Sequence, residues 1–316
     1  MSDAIAFYRS FQGVLRERAI RATLTSGMAC VEYGLQQNTK DTDWILDPEQ
    51  VIRLVELFGE LERGVSGRSW RVTYRGLFGA PLLGEYLAGG WTSHLAAFEG
   101  PESAERHLDF FGRAPRLGAA WNALAAGGIA SRDVVARMKK TDRPKDWPLV
   151  NGLALQAFFD GEPGAVLHLR EPSVLREAWD RVPADQCLAF ARERPLLATL
   201  RNHGAAALDR LLLVEQLLWQ CVNRERYLVY QQAWKAFYRA WQQDRVGEWP
   251  TSESFLQQHR RVCAAARAHG LPPAPLAGEA TRREVFARGR DRAASLAAAT
   301  PEELRLVAMP LDTILP

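Results

Sequence analysis

Two aspartates separated by one residue, Asp41 and Asp43, lead straight into the apolar run Trp44-Ile45-Leu46, one short helix after the small-residue turn Ser26-Gly27. If Thr42 to Leu46 forms a strand, side chains two apart point the same way and the two carboxylates share a face. Neighbouring carboxylates repel each other, and a divalent cation relieves the repulsion. Mg²⁺ (or Mn²⁺) suits such a pair, because it takes oxygen ligands and keeps positions for water and phosphate. The amides following Ser26-Gly27 at a helix start offer the complementary feature, an anion cradle. Glycine there lets a ligand approach the backbone closely. Donors at one end and acids at the other make a clamp for a triphosphate. The same dipeptide pattern also occurs at ordinary solvent-facing strand starts.

The elements that must position these groups show in the periodicity. Ile5, Tyr8, Phe11 and Leu15 recur at helical spacing, so the chain opens with a helix that buries one stripe. A short extended piece is expected at Thr23 to Thr25, then a small helix from Met28 to Tyr33 stopped by Gly34. After the acidic strand, Asp47 caps a helix with Pro48 at its first position and Val51, Leu54, Val55, Phe58 and Leu61 on one side, ended by Gly64 and Gly67. Ser69 to Phe78 and Gly90 to Phe98 have the composition of two further strands. From there helices should dominate: one near Pro101, one over Arg132 to Lys139 behind a Ser131 cap, and one from "DRPKDWP" to Phe159.

The strands thus fall in the first half, as in an α/β or α+β domain. "DGEPG" (Asp160 to Gly164) marks the expected boundary between segments 1–162 and 163–316, the second of them all-helical. Its longest helix should run from Leu211 to Gln242, with Tyr227, Tyr230, Trp234, Phe237, Tyr238 and Trp241 at core-packing spacing. Thr251 or Ser252 should cap the next helix, and Thr300-Pro301-Glu302-Glu303 starts a last one.

Composition narrows the classes further. The chain has 316 residues, 47% hydrophobic and 24% charged, which is globular composition. A formal charge of +3 does not predict a general polyanion binder. Cys30, Cys187, Cys221 and Cys263 are widely spaced without a CxxC pair, so they should be reduced and mostly buried. The six histidines show no ligand spacing for zinc. The charged amphipathic N-terminus is unlike a signal peptide, and no apolar run reaches the roughly 20 residues that a bilayer span needs. A cytoplasmic protein without a membrane partner is the expectation; oligomeric state is open.

The stretch "SGMACVEYGLQQNTKDTDWIL" resembles the signature of minimal nucleotidyltransferases and the related AbiEii-type toxin proteins. Ser26 and Gly27 match the family's turn, Tyr33-Gly34 its helix end, and Thr39-Lys40-Asp41-Thr42-Asp43 its acidic strand. A second match follows in the expected order: in "ARMKKTDRPKDWPLVNGL", Lys139, Arg143, Lys145 and Asp146 resemble the family's basic segment. The resemblance covers about the first half of the chain. It implies a nucleotidyltransferase-like mixed sheet flanked by helices, followed by a helical domain. It also implies Mg²⁺-dependent transfer of a nucleoside monophosphate from an NTP to a hydroxyl on a protein, a tRNA or a small molecule, in a toxin–antitoxin or defence setting. Asp41 and Asp43 would hold the metal, and Ser26, Gly27, Lys40, Lys139, Arg143, Lys145 and Asp146 would contact the nucleotide.

This chain departs from the pattern in three places. Gln37 stands where the family carries arginine, and Leu149 where the second segment's last acid belongs. The strand expected to bring a third carboxylate, "GWTSHLAAF", offers Thr92, Ser93 and His94 and no acid; Glu85 and Asp109 are the nearest acids, neither in an expected strand. His94 is a candidate base. The alternative function is therefore a catalytically silent fold that binds nucleotide or serves as a scaffold.

Overall fold

The opening apolar stripe folds as α1 (Asp3–Glu17), and Tyr8, Phe11 and Leu15 are almost wholly buried. The computed structural model describes residues 3–65, 69–76, 78–100, 103–112, 128–244 and 249–315. After α1 come β1 (Ala22–Thr25), α2 (Ser26–Glu32), β2 (Asp41–Leu46), α3 (Val51–Glu62), β3 (Arg71–Tyr74), α4 (Gly84–Ala88), β4 (Ser93–Phe98) and β5 (Arg106–Phe111). Helices follow: α5 (Arg132–Lys139), α6 (Trp147–Phe159), α7 (Pro172–Asp180), α8 (Ala184–Glu193), α9 (Ala205–Gln243) and α10 (Phe255–Ala268). The last are α11 (Glu279–Ala297), α12 (Pro301–Val307) and α13 (Leu311–Ile314). The chain is thus mixed α/β with a helical C-terminal region.

Local signals place many of these ends. Asp47 accepts a hydrogen bond from the Glu49 amide and Pro48 opens the turn leading into α3. Ser131 caps α5, and Thr300 with Glu303 forms the capping box of α12. The cap of α10 is Ser254 rather than Thr251 or Ser252, and α9 starts at Ala205 rather than Leu211. Gly34 and Gly64 take the left-handed backbone that ends α2 and α3. Gly67 and Pro101 lie outside the described residues.

Two compact units divide the chain: one of Met1–Ala114, Ala119–Ala130 and Val229–Pro275, the other of Pro115–Gly118, Ser131–Leu228 and Leu276–Pro316. They cut the chain differently from the boundary expected at 162. Residues 131 to 162 belong with the helical unit, and the sheet unit takes the end of α9 and all of α10.

In the sheet unit the strand order is β1-β2-β5-β4-β3, with β2 and β5 parallel and the other pairs antiparallel. Alternation splits the strands into two faces. Trp44 and Phe110 turn to one side, where Phe11 of α1, Phe58 of α3 and Phe255 of α10 meet them and each other edge-on or stacked at 5.2–6.3 Å. All five of these rings are fully buried, and truncating any one to alanine costs about 3–5 kcal/mol by the usual core measure. The edge strand β3 is closed by α10: the Gln258 carbonyl oxygen accepts from the Tyr74 amide (3.1 Å) and the Thr73 hydroxyl (2.8 Å). That bond spans 185 residues, so no local signal could announce it. The aromatic series on α9 is partly core, as its spacing indicates: Tyr230, Phe237 and Trp241 are buried, whereas Tyr227 is exposed.

The helical unit is built on buried charge. Arg194 grips Glu215 with two hydrogen bonds (2.8 and 2.6 Å) and donates its remaining prong to the carbonyls of Val166 and Leu169. Lys140 donates to the Leu167 carbonyl (2.9 Å) and lies 4.9 Å over the Trp219 ring. These cations satisfy the carbonyls left over at the end of a short helical turn (Pro163–Leu167). Beside them, His168 meets Asp133 at 2.8 Å, and Arg137 bridges Asp133 and Glu193. Gly289 lets α11 reach α9, since a Cβ there would come within 2.7 Å of the Val222 Cα.

None of the four cysteines is in a disulfide, and Cys30, Cys221 and Cys263 are buried. Among the described residues no helix is long and apolar enough to cross a membrane.

Candidate active site

The face of the sheet opposite the aromatic core carries the charged groups. Asp41 and Asp43 alternate out of β2 on this side, and the parallel neighbour β5 sets His107 opposite Asp41 and Asp109 opposite Asp43. Antiparallel β4 sets His94 opposite Asp109. Three aspartates and two histidines thus share one face of three adjoining strands.

Asp109 corrects the sequence expectation. Residues 106 to 111 form a strand where helices were expected to have taken over, and it is β5, not β4, that brings the third acid beside the Asp41/Asp43 pair. The signal was present in "RHLDFF": His107 and Asp109 alternate with Leu108 and Phe110, the period of a half-buried strand. Six residues of alternation are easily lost when the segment before them is assigned to a helix.

These side chains are engaged with one another in sequence across the face. His107 Nδ1 bonds the Asp41 carboxylate, and its Nε2 lies 3.1 Å from Glu105, just before β5. Arg75, at the end of β3, stands between Glu105 (3.8 Å) and Asp109 (3.7 Å). Asp109 in turn meets His94 Nδ1 at 2.8 Å. The result is a ladder, Asp41–His107–Glu105–Arg75–Asp109–His94, alternating acid and base. The Asp109 side chain is only 12% exposed and that of Asp41 is 51% exposed, so the ladder runs from a sheltered end to an open one. Gly79 keeps His94 in place by having no side chain, because a Cβ there would lie 2.8 Å from the imidazole Cδ2. The imidazole also lines a small cleft with Tyr74, Phe237 and Trp249. Just before Asp41, the Lys40 carbonyl accepts from the Tyr8 hydroxyl (3.0 Å); burial pushes that hydroxyl up to about 12, so it remains a donor.

The Ser26-Gly27 turn adjoins the acids through the backbone. Thr25, the last residue of β1, pairs with Asp43. Ser26 has φ 53°, a left-handed conformation that costs a non-glycine residue energy. A Cβ on Gly27 would fall 2.6 Å from Thr39 Oγ1, and that hydroxyl donates to the Asp41 carbonyl (2.9 Å). The close approach that Gly27 allows is therefore to the chain entering β2, which ties the turn to Asp41. Lys40 is exposed.

The basic segment belongs to the helical unit and closes on itself. Asp146, 3% exposed, accepts from Thr141 Oγ1 (2.6 Å) and Arg143 (2.7 Å), with Lys139 Nζ at 3.6 Å. Lys139 is also buried, so this spacing serves an internal knot that shapes the turn between α5 and α6. Lys145 is exposed.

Oxygen ligands on adjoining strands are the right donors for a hard divalent cation. As placed they do not fit one: Asp41 is turned to His107, and Asp109 to His94 and Arg75. Among the described residues, no group of three or more His, Cys, Asp or Glu side chains is arranged to hold a metal ion. Comparisons with protein-family models, curated proteins and solved structures find no match.

Proposed function

We propose that the sheet unit binds a nucleoside triphosphate on its acidic face and transfers the nucleoside monophosphate to a hydroxyl group, as minimal nucleotidyltransferases do. The observation that carries this reading is the rung Asp43–Asp109 beside Asp41, which gives the face three carboxylates next to the Ser26-Gly27 turn. In the reaction the acceptor oxygen bonds the α-phosphorus while the bond to pyrophosphate breaks. His94, held through Nδ1 by Asp109, takes the hydroxyl proton in this reading, and Asp109 orients the ring. The amides after Ser26 face the outer phosphates, and a protein, tRNA or small molecule supplies the hydroxyl. The side chains present do not form a metal-holding group, so no step here runs through Mg²⁺ or Mn²⁺.

One observation favours a second reading, a silent nucleotide-binding or scaffold module: the ladder engages both Asp41 and Asp109 with bases. Incubation with α-labelled ATP, GTP, CTP and UTP, with Mg²⁺ or Mn²⁺, separates the two. Label that reaches an acceptor, and is lost in Asp41→Ala/Asp43→Ala, is the expected result. NTP binding without transfer points to the silent module, and no NTP binding removes both.

A further inference from the structure

The ladder ends at His94, and beyond it lies a cleft where the end of β3, strand β4, α9 and α10 meet, walled by Tyr74, Phe237 and Val262. All three of these residues are buried, so the core fixes the walls. With its open mouth the cleft measures about 280 Å³, below the range of drug-sized sites. Its enclosed part is about 10 Å³, the room that one water or one hydroxyl group takes up.

Three side chains of the lining carry polar atoms: Tyr74, His94 and Trp249. Tyr74 uses its hydroxyl inside the protein, accepting from the Leu82 amide (2.9 Å) and meeting His259 Nδ1 at 2.8 Å. The other two keep an open nitrogen. His94 engages Asp109 through Nδ1, and its Nε2 has no hydrogen-bond partner among the described residues. Trp249 Nε1 is buried and likewise has none among them. A buried indole N–H without a partner forgoes a hydrogen bond, so an acceptor placed there is favoured. Two glycines keep the space clear: a Cβ on Gly79 would lie 3.7 Å from His94 Nε2, and one on Gly76 would lie 3.5 Å from Trp249 Nε1.

Resting on the transfer reading above, we propose that this cleft seats the acceptor, and that the acceptor is an uncharged alcohol on a short apolar stem. A hydroxyl suits both open nitrogens. Its oxygen accepts from Trp249 Nε1, and it can donate to His94 Nε2 or accept from it, so the fit holds for any protonation of the ring. Among the described residues the lining carries no carboxylate, lysine or arginine. A stem bearing phosphate or carboxylate would lose its hydration there without gaining a partner. In the transfer, the alcohol oxygen bonds the α-phosphorus, pyrophosphate leaves, and the hydroxyl proton passes to His94 Nε2.

Titration of the full-length chain with 1-propanol, followed in ¹H–¹⁵N spectra, tests the site without any nucleotide. The indole N–H of Trp249, assigned by its loss in Trp249→Phe, and the ring nitrogens of His94 should shift together and saturate. Glycerol 3-phosphate, an alcohol on a charged stem, should bind about tenfold more weakly or less. No saturable shift, or equal binding of the charged alcohol, overturns the proposal and leaves the transfer reading standing. With α-labelled NTP, label should reach 1-propanol as the alkyl ester of the nucleoside monophosphate. Label that reaches RNA but not 1-propanol overturns the proposal and keeps that reading. Saturable shifts with no transfer to any acceptor overturn the reading, and with it the acceptor role, and keep the alcohol site.

Discussion

Two charge networks sit in this chain, one on the sheet and one among the helices, and they are built on opposite principles. The helical network is sealed. Arg194 and Glu215 are each about 4% exposed, every prong of the guanidinium is used, and Lys140 and His168 are buried beside them. Such groups cannot change partners without leaving a charge in a medium that solvates it poorly. The sheet network opens towards solvent at Asp41 and passes through two histidines, short side chains set by strand register. Its exposed member Asp41 can exchange a partner for water at modest cost. Paired charge by itself does not mark a site; paired charge that solvent and ligands can reach is the useful sign.

The sharpest way to break this comparison is to remove Glu215. Glu215→Ala strands the Arg194 guanidinium, and urea unfolding should show a loss of about 3–5 kcal/mol. A loss under about 1 kcal/mol would mean that the helical network is no more structural than the sheet's.

The second largest effect is a pH dependence to which the helical network contributes through His168 and Lys140, beside His259 of the sheet unit, which burial pushes down to about 4. Burial, and then the nearby Lys140, pushes His168 down to about 3. The folded state keeps this ring neutral while the unfolded chain protonates it near 6.5. Its contribution is therefore complete above pH 6.5 and is lost as pH falls towards 3. Burial, and then Arg194, pushes Lys140 down to about 7 against an ordinary value near 10.5. By the same sign, its contribution is complete above 10.5 and is lost as pH falls to 7. Asp133 adds to the acid side: burial would raise it, but His168 and Arg137 hold it well below the usual carboxylate range. Thermal unfolding from pH 5 to 9 should show the melting temperature rising with pH. Lys140→Met should reduce the slope above neutrality and His168→Gln should reduce it below, where His259 keeps part of it; a flat wild-type curve would contradict these assignments.

Smaller effects sharpen the contrast. Lys139→Ala removes a buried partner of Asp146 and should cost about 1–3 kcal/mol in chemical denaturation, whereas exposed Lys145→Ala should cost less than about 0.5 kcal/mol. If NTP binding measured by calorimetry falls in Lys145→Ala but not in Lys139→Ala, the exposed lysine is the phosphate contact. The smallest stability change belongs to Asp41→Asn, within about 0.5 kcal/mol because half its side chain is in solvent. It should nevertheless abolish label transfer.

The amino-acid sequence by itself determined what neighbouring residues can negotiate among themselves. The buried stripe of α1, the Asp47, Ser131 and Thr300 caps, the left-handed stop at Gly34 and the shared face of Asp41 and Asp43 all rest on contacts within a few residues. Only the tertiary structure decided which strand lies beside that pair. The Asp43–Asp109 rung joins positions far apart in the chain, so the alternation within "RHLDFF" can mark a strand but not its partner. The closure of β3 by Gln258 was likewise settled by packing. A strand's pairing and a charge's partner are long-range choices, made by whichever surfaces are left to bury once the local elements exist.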